Sequence, residues 1–279
     1  MTYVSDARPL FAASYRGGYA LPAFNVCSLE MAKGCLEAAE SLGAPVVLQT
    51  YPSDIEQASP HVLVQLVRAL ADEVGVPVAL HLDHGRDLEQ VAACLRAGYS
   101  SVMYDGQGLD FGALLARTRE LADLAHAAGA SLEVSAESFG VPGADDNTLE
   151  QTDPAQARAL RDAGADLVAC AVGSEHGHAS VLDLALLERI SQAVAGPLVL
   201  HGGSGIPATD LKAALRLGVV KVNVGSALYR VARQTWQSSG ALPNHRAVYA
   251  AVREAVRQAA WPFLETLYPA GNTAQETPS

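Results

Sequence analysis

Short, nearly all-apolar runs alternate along the chain with longer segments in which apolar residues recur at helical spacing. The short runs are rich in β-branched residues, which is typical of strands buried on both faces of a parallel sheet. Eight such runs occur, at 19–26, 45–51, 77–85, 101–106, 131–136, 167–172, 197–203 and 219–225. The pattern therefore predicts eight buried parallel strands.

The longer segments carry the expected helix boundaries. A glycine follows almost every one, and Asp153 with Pro154 is typical of a helix start. Seven helices are predicted between the strands, at 29–42, 61–74, 88–97, 111–128, 154–163, 184–195 and 207–217. A helical stretch after Ser226 and a helix over 246–266 are predicted beyond the last strand.

Eight strand-then-helix units predict an α/β fold, a closed (β/α)₈ or TIM barrel with extra C-terminal helices. The alternative is an open doubly wound sheet, which usually carries GxGxxG after its first strand, and that motif is missing there. The chain has 279 residues, which suits one such unit. We expect a single barrel domain over 1–268 and a polar, disordered tail over 269–279.

Composition and charge argue against several classes of function. The net charge of −11 argues against nucleic-acid binding and against a membrane surface, both of which favour a basic face. No apolar run approaches the roughly 20 residues of a membrane helix, and the N-terminus does not resemble a signal peptide. The four cysteines form no CxxC pair and are predicted to be reduced core residues. We expect a cytoplasmic protein.

Polar residues interrupt the apolar pattern where the predicted strands end. In a barrel these ends meet at one mouth, where catalytic groups lie. The residues concerned are Asn25, Gln49, His81, Asp83, His84, Asp105, Glu133, Ser174, Glu175, His176, His201 to Ser204, and Asn223. Their convergence predicts a single active site.

Histidines end three of these strands. Three imidazole ligands with an open fourth position describe a catalytic zinc site, which one histidine from each of these strand ends could form. His81 competes with His84, and His178 competes with His176. A regular strand cannot point residues 81, 83 and 84 into the lumen together, so a bend after Asp83 is needed if Asp83 and His84 both face the mouth.

Two glycine-rich segments follow the last two strands. HGGSG (201–205) precedes a helix that Pro207 could open, and VNVGS (222–226) follows strand eight. Backbone N–H groups of this kind bind phosphate, and barrels commonly place phosphate sites after strands seven and eight. Ordinary glycine turns are the alternative interpretation.

These stretches together resemble the class II (zinc) ketose-bisphosphate aldolases, which act on fructose or tagatose 1,6-bisphosphate. The resemblance covers about residues 1–265 and rests on YALPAFNV (19–26), PVALHLDHG (77–85), SVMYDG (101–106), TDPAQA (152–157), AVGSEHGH (171–178), LVLHGGSGIP (198–207) and KVNVGSAL (221–228). It implies a phosphosugar substrate, one zinc ion per chain and a homodimer or homotetramer. We also expect a monovalent cation near the phosphate site.

The resemblance assigns roles to individual residues. It implies that Asp83 is the catalytic base, that His84, His176 and His201 bind zinc, and that Arg253 reaches the distal phosphate, sometimes from a neighbouring subunit. The implied phosphate site comprises Gly177, Gly202, Gly203, Ser204, Asn223, Val224, Gly225 and Ser226. Asn25 and Gln49, at the ends of strands one and two, are also expected to bind the substrate.

Three segments depart from the family pattern. Strand five keeps Glu133 but has Ser135 where a second glutamate is usual, although a shifted alignment would use Glu137. The loop that follows carries Asp145 and Asp146 as shorter stand-ins for the acids that move protons, with a nearby glutamate as the alternative. After strand two, the bulky Tyr51 stands where small residues are usual. These departures suggest that fructose 1,6-bisphosphate is a poor or non-native substrate.

The predicted reaction is aldol cleavage that releases dihydroxyacetone phosphate and an aldehyde. Asp83 would move the C4 hydroxyl proton, and zinc would stabilise the developing enolate. Schiff-base chemistry is disfavoured, because the best candidate, Lys221, is expected to face outward. The alternatives are a metal-dependent hydrolase on the same barrel and a sugar-phosphate-binding homologue with impaired catalysis.

Overall fold

The computed structural model describes residues 2–106, 108–135, 151–174 and 178–269. Its eight strands pair in parallel and in sequence order, and β8 closes onto β1, so the predicted barrel is confirmed. The strands are β1 Leu21–Asn25, β2 Val46–Thr50, β3 Val78–Gly85, β4 Ser101–Tyr104, β5 Ser131–Ser135, β6 Leu167–Ala169, β7 Leu198–Leu200 and β8 Val219–Val224. They are shorter than most of the apolar runs because the run ends form loops.

Helices surround the barrel. In the described part of the chain they are α1 Arg8–Gly17, α2 Leu29–Ser41, α3 Pro52–Ala58, α4 Pro60–Ala71, α5 Leu88–Ala97, α6 Phe111–Ala127, α7 Pro154–Asp162, α8 Leu184–Val194, α9 Ala208–Leu215, α10 Ser226–Gln237 and α11 His245–Leu267. Short 3₁₀ turns cover Gly203–Gly205 and Ser239–Ala241. None of the described helices is both long and apolar enough to span a bilayer.

Two helices were not predicted. Helix α1 has a proline in its first turn and ends at Gly18 in the left-handed conformation, with φ of 67°. These are ordinary helix boundaries, so its signal was present in the sequence. Helix α3 is only seven residues long and begins directly after Tyr51. Its first turn carries Tyr51 to the mouth of the barrel.

Helix α1 closes the N-terminal end of the barrel. Leu10 and Phe11 pack against lumen residues that include Leu21, Val47 and Val199. Before the helix, the backbone of Tyr3 forms a parallel bridge with Val78 at the start of β3. The bottom of the lumen is therefore apolar and covered, and its polar groups collect nearer the other end.

A larger apolar core lies between the barrel and the helices. Successive strand residues alternate between this outer core and the lumen, because side chains in a strand point to opposite faces with a period of two. On β3, for example, Leu80 and Leu82 join the outer core, while His81 and Asp83 are buried on the other face. The same alternation decides which polar groups face one another in the lumen.

The C-terminal helix α11 packs along α2, and Gly34 marks their closest approach. A Cβ atom at Gly34 would lie 2.5 Å from the backbone oxygen of Arg253. Only a glycine permits this approach without moving one helix. The packing of α11 against α2 therefore requires a glycine at position 34.

We expect Gly34→Ala to lower the free energy of unfolding by about 1–3 kcal/mol, the usual cost of overpacking, even though alanine favours a helix. Denaturant unfolding measures the change. The control is Gly240→Ala, because a Cβ atom there would meet nothing within 4 Å. Equal stability of the two variants would contradict the tight α2–α11 contact.

Candidate active site

A one-residue bulge in β3 brings two neighbouring residues to the mouth. Leu82 pairs with Val102, and the next pair joins Gly85 to Tyr104, so β3 gains one residue relative to β4. Within the bulge, His84 has φ of 55°, a left-handed conformation that is uncommon for a residue with a side chain. This geometry supplies the bend after Asp83 that the sequence required.

Asp83, His84 and His201 form a group that could hold a metal ion. One ligand atom from each lies within 4.8 Å of the others. Two imidazoles and a carboxylate are donors that zinc accepts, so the group fits the predicted ion. The third predicted histidine, His176, lies outside the described residues. His178 is exposed and does not belong to the group.

Carboxylates orient both histidines of this group. His84 Nδ1 lies 3.2 Å from Asp105 Oδ2, and His201 Nε2 lies 3.1 Å from Glu133 Oε1. A carboxylate on one ring nitrogen is the usual support of a metal-binding imidazole, because it sets the tautomer and the ring orientation. The group therefore has the surroundings of a metal site as well as its donors.

Three amides surround the carboxylate of Asp83, which is fully buried. Asn25 Nδ2 and Gln49 Nε2 donate to Oδ2 at 2.8 Å and 3.0 Å, and Asn223 Nδ2 donates to Oδ1 at 3.0 Å. Burial favours the neutral acid, but the positive charges of His84 and Lys221 outweigh it and lower the pKa of Asp83. Asp83 is therefore held as a carboxylate that can accept a proton.

His81 is a core residue. Its Nδ1 lies 2.7 Å from Ser101 Oγ, and the side chain is fully buried below Asp83 on the same face of β3. Burial, followed by the charge of Lys221, lowers the pKa of His81 to about 3. His81 is neutral at ordinary pH, and His84 rather than His81 belongs to the group that could hold a metal.

Lys221 lies inside the barrel, so the expectation that it faces outward was wrong. Between the pairs Leu198–Val219 and Val199–Lys221, β8 advances by two residues while β7 advances by one. Lys221 shares the lumen face with Asn223, two residues further on, because side chains two apart in a strand point to the same face. Counting back from Asn223 would have predicted the inward orientation.

The ammonium group of Lys221 is fully buried and paired. Its Nζ donates to Glu133 Oε2 at 2.9 Å and to Asn223 Oδ1 at 2.7 Å. The cation lowers the pKa of Glu133 against the opposing effect of burial. An ion-paired ammonium is a poor nucleophile, which disfavours Schiff-base chemistry for a reason different from the one expected.

The mouth of the barrel is a cleft of about 660 Å³. It brings together six of the predicted substrate-binding residues with several that the sequence did not single out. The cleft is lined by Asn25, Tyr51, Pro52, Ser53, His84, Arg86, Asp105, Gly202, Ser204, Asn223, Gly225, Ser226 and Tyr229. Gln49 is buried beneath Asn25 and acts on the cleft through its hydrogen bonds to Asn25 and Asp83.

The two glycine-rich loops meet at this cleft. Ser204 Oγ accepts a hydrogen bond of 3.2 Å from the backbone N–H of Ala227, in the first turn of α10. The helix N-terminus at the cleft is therefore that of α10, whereas HGGSG continues into a 3₁₀ turn before α9. An N-terminus of this kind favours a phosphate.

The remaining predicted phosphate-site residues differ in their placement. Gly203 packs so tightly on β8 that a Cβ atom would lie 2.4 Å from Val222 Cγ1. The side chain of Val224 belongs to the outer core, which leaves only its backbone for a ligand. Gly177 lies outside the described residues, as do Glu137, Asp145 and Asp146. The roles proposed for these acids stay predictions.

Arg253 does not line the cleft of its own chain. It lies on α11, where its Nε is 3.5 Å from Glu37 Oε2, and 44% of its side chain is exposed. A role at the distal end of a substrate would require a neighbouring subunit. That role of Arg253 stays a prediction.

Two tyrosines form a wall of the cleft. The ring of Tyr51 stacks on His84, with centroids 5.8 Å apart and planes at 20°. Burial and then the carboxylate of Asp83 raise the pKa of Tyr51, so its phenol stays protonated. Tyr229 lies three residues after Ser226 on α10, and this spacing could have identified it, since residues three apart share a helix face.

Comparison with known proteins agrees with this geometry. The family model "Fructose-bisphosphate aldolase class-II" matches residues 5–272. The YdjI aldolase from Escherichia coli K12 is 28% identical, with a TM-score of 0.84 over 96% of this chain and 98% of that one. A putative fructose-1,6-bisphosphate aldolase from Coccidioides immitis is 26% identical, with a TM-score of 0.88 over 96% and 98%. The fructose-bisphosphate aldolase from Campylobacter jejuni, at 21% identity, 95% coverage of both chains and a TM-score of 0.80, shares the fold.

The purified protein should hold about one zinc ion per chain, since the group has the donors of a catalytic zinc site. We expect His201→Ala to lose that ion, because the variant removes a ligand while the barrel stays folded. Elemental analysis after removal of loosely bound metal measures it. His61→Ala on the exposed face of α4 is the control. Full zinc in the His201 variant would remove His201 from the site.

Proposed function

The chain belongs to the class-II fructose-bisphosphate aldolase family, and we propose that it is a zinc-dependent aldolase that cleaves a phosphorylated ketose to dihydroxyacetone phosphate and an aldehyde. Membership makes the chain a carbon–carbon lyase. Zinc as the metal and a 1-phosphorylated ketose as the substrate are the proposed additions. We also propose that it works in the cytoplasm as a homodimer or homotetramer.

The observation that carries the proposal is the position of Asp83. Its carboxylate belongs to the group formed with His84 and His201, and it also accepts three amide hydrogen bonds. The cleft beside it ends in two glycine-rich loops. A metal-dependent hydrolase would need the metal group but would have no use for two phosphate loops, so this combination favours the aldolase.

The chain's own groups supply the proton chemistry. A bound zinc ion would act as a Lewis acid that stabilises the negative charge formed as the carbon–carbon bond breaks. Asp83 accepts the proton of the C4 hydroxyl during cleavage and returns it during condensation. The amides of Asn25, Gln49 and Asn223 hold both carboxylate oxygens in place for this transfer. Asp145 or Asp146 is proposed as the acid that protonates the enediolate.

The loops and the tyrosine wall divide the cleft between the two halves of the substrate. We place the phosphate of the dihydroxyacetone half at Gly202, Ser204, Gly225 and Ser226, beside the N-terminus of α10, with a monovalent cation nearby. The aldehyde half then lies toward Tyr51 and Tyr229.

A cation could serve an anionic distal group. Arg86 lines the cleft, and its Nη1 lies 2.6 Å from Glu56 Oε1 at the exposed rim. An exposed pair of this kind is weak and can exchange partners. Arg253 of a neighbouring subunit is the second candidate, as the family resemblance implies.

Asp83→Ala should lower kcat by a factor of about 10²–10⁴, the usual contribution of a positioned acid–base group. We expect the variant to keep its fold and its zinc, since the predicted ligands are His84, His176 and His201. Steady-state cleavage of a phosphoketose, with zinc content measured in parallel, tests this. Asp123→Ala on the exposed face of α6 is the control. Unchanged turnover would exclude Asp83 as the base.

Fructose 1,6-bisphosphate should be a poor substrate, because Tyr51 takes volume from the aldehyde end of the cleft. We expect another 1-phosphorylated ketose to have the higher kcat/KM, and we expect Tyr51→Ser to reduce the difference. A coupled assay for dihydroxyacetone phosphate compares the substrates. If the natural sequence cleaves fructose 1,6-bisphosphate at about 10⁴ M⁻¹s⁻¹ or faster, Tyr51 imposes no such selection.

A further inference from the structure

Lys221 connects the two halves of the site from below. It lies in the lumen and does not line the cleft, so it does not touch a substrate there. One of its bonds goes to Glu133, which contacts the metal-group residue His201. Another goes to Asn223, which donates to the proposed base Asp83. One ammonium group therefore lies one residue away from each half.

The bond to Asn223 decides which way its amide points. An ammonium group has only hydrogen-bond donors, so it attracts the amide oxygen, at 2.7 Å. The amide nitrogen is then directed at Asp83 Oδ1, at 3.0 Å. Without the cation, the amide could turn its oxygen toward the Asp83 carboxylate, where the two acceptors would repel each other.

The bond to Glu133 acts in the same way on the metal group. Glu133 Oε2 accepts from Lys221 at 2.9 Å, which leaves Oε1 for His201 Nε2 at 3.1 Å. A carboxylate held in this position fixes the tautomer and the plane of the imidazole. Loss of the cation would leave Glu133 buried without its partner charge and release His201 from a defined orientation.

Stability alone gives little reason for a charge at this position. Both Lys221 and Glu133 are fully buried, and a buried ion pair often contributes no more to folding than apolar side chains of the same volume. The lower lumen of this barrel is already filled by apolar residues such as Leu21 and Val199. Lys221 pairs in register with both of these apolar residues, and a lysine among them is better explained by what it orients.

We propose that Lys221 is a positioning residue that orients the base through Asn223 and the metal-binding imidazole of His201 through Glu133. This inference rests on the proposed aldolase function for its effect on turnover. Its effect on metal binding stands independently of that function. The ammonium group takes no part in bond making.

The first test compares Lys221→Met with the natural sequence. We expect kcat to fall by a factor of about 10–100 at saturating zinc, with KM changed less than about threefold, because the residue acts through Asn223 and Glu133 rather than on the substrate. We expect the zinc dissociation constant of the apoprotein, measured by competition with a chromophoric chelator, to rise by a factor of about 10 or more. Lys212→Met on the exposed face of α9 is the matched control. It should leave kcat, KM and the zinc dissociation constant unchanged.

A second pair of variants separates positioning from charge neutralisation. Lys221→Met combined with Glu133→Gln leaves no unpaired buried carboxylate, so it should fold even if Lys221→Met alone does not. Compared with Glu133→Gln alone, we expect the double variant to have a kcat lower by a factor of about 10 or more, since only the double variant lacks the donor to Asn223.

Two results would overturn the proposal. One is a double variant whose kcat is within about twofold of Glu133→Gln, which would mean that Lys221 only neutralises Glu133. The other is a Lys221→Met variant that melts at a lower temperature but keeps its kcat and its zinc affinity. If the natural sequence cleaves no phosphoketose, the aldolase assignment fails by itself, and the zinc measurement still decides the role of Lys221.

Discussion

Every second residue of the eight strands points into a lumen that is closed to water at its N-terminal end, and a polar group placed there must find its partners among the other lumen residues. The site depends on this constraint. At the covered end, α1 and the first lumen layer are apolar. Nearer the mouth, the bonds of Lys221 to Glu133 and Asn223 begin a network that ends at Asp83 and His201. The polar groups are thus arranged by the need to satisfy one another, and the result is a rigid base beside a set of metal donors.

The buried network formed by Glu133, Asp83, His81 and Lys221 carries a net negative charge, which favours the binding of a cation. Glu133 and Asp83 have lowered pKa values and are ionised, His81 is neutral, and Lys221 carries the one positive charge among these four. The remaining negative charge lies beside His84 and His201. It would be offset either by a protonated His84, whose charge lowers the pKa of Asp83, or by a cation that His84 and His201 hold.

A local irregularity in β3 brings Asp83 and His84 to the same mouth of the barrel. The bulge in β3 holds His84 at a positive φ, and this strained conformation is stabilised by the surrounding sheet and by the Asp105 contact. Strands of perfect alternation would have placed either Asp83 or His84 outside the lumen, and the base would have been separated from the metal group.

The sequence by itself determined the barrel. Apolar runs and helix boundaries are local patterns, and they can be recognised without knowing which segments contact one another. It also determined that Asp83, His84, His201, Asn25 and Asn223 would meet, since the ends of parallel strands converge at one mouth. Only the tertiary structure decided the hydrogen-bond partners of Lys221, the role of His81 and the distance of Arg253 from the cleft of its own chain. Those depend on strand register and on helix packing, which bring together residues as far apart as 81 and 221, and neither quantity is encoded in the spacing within one segment.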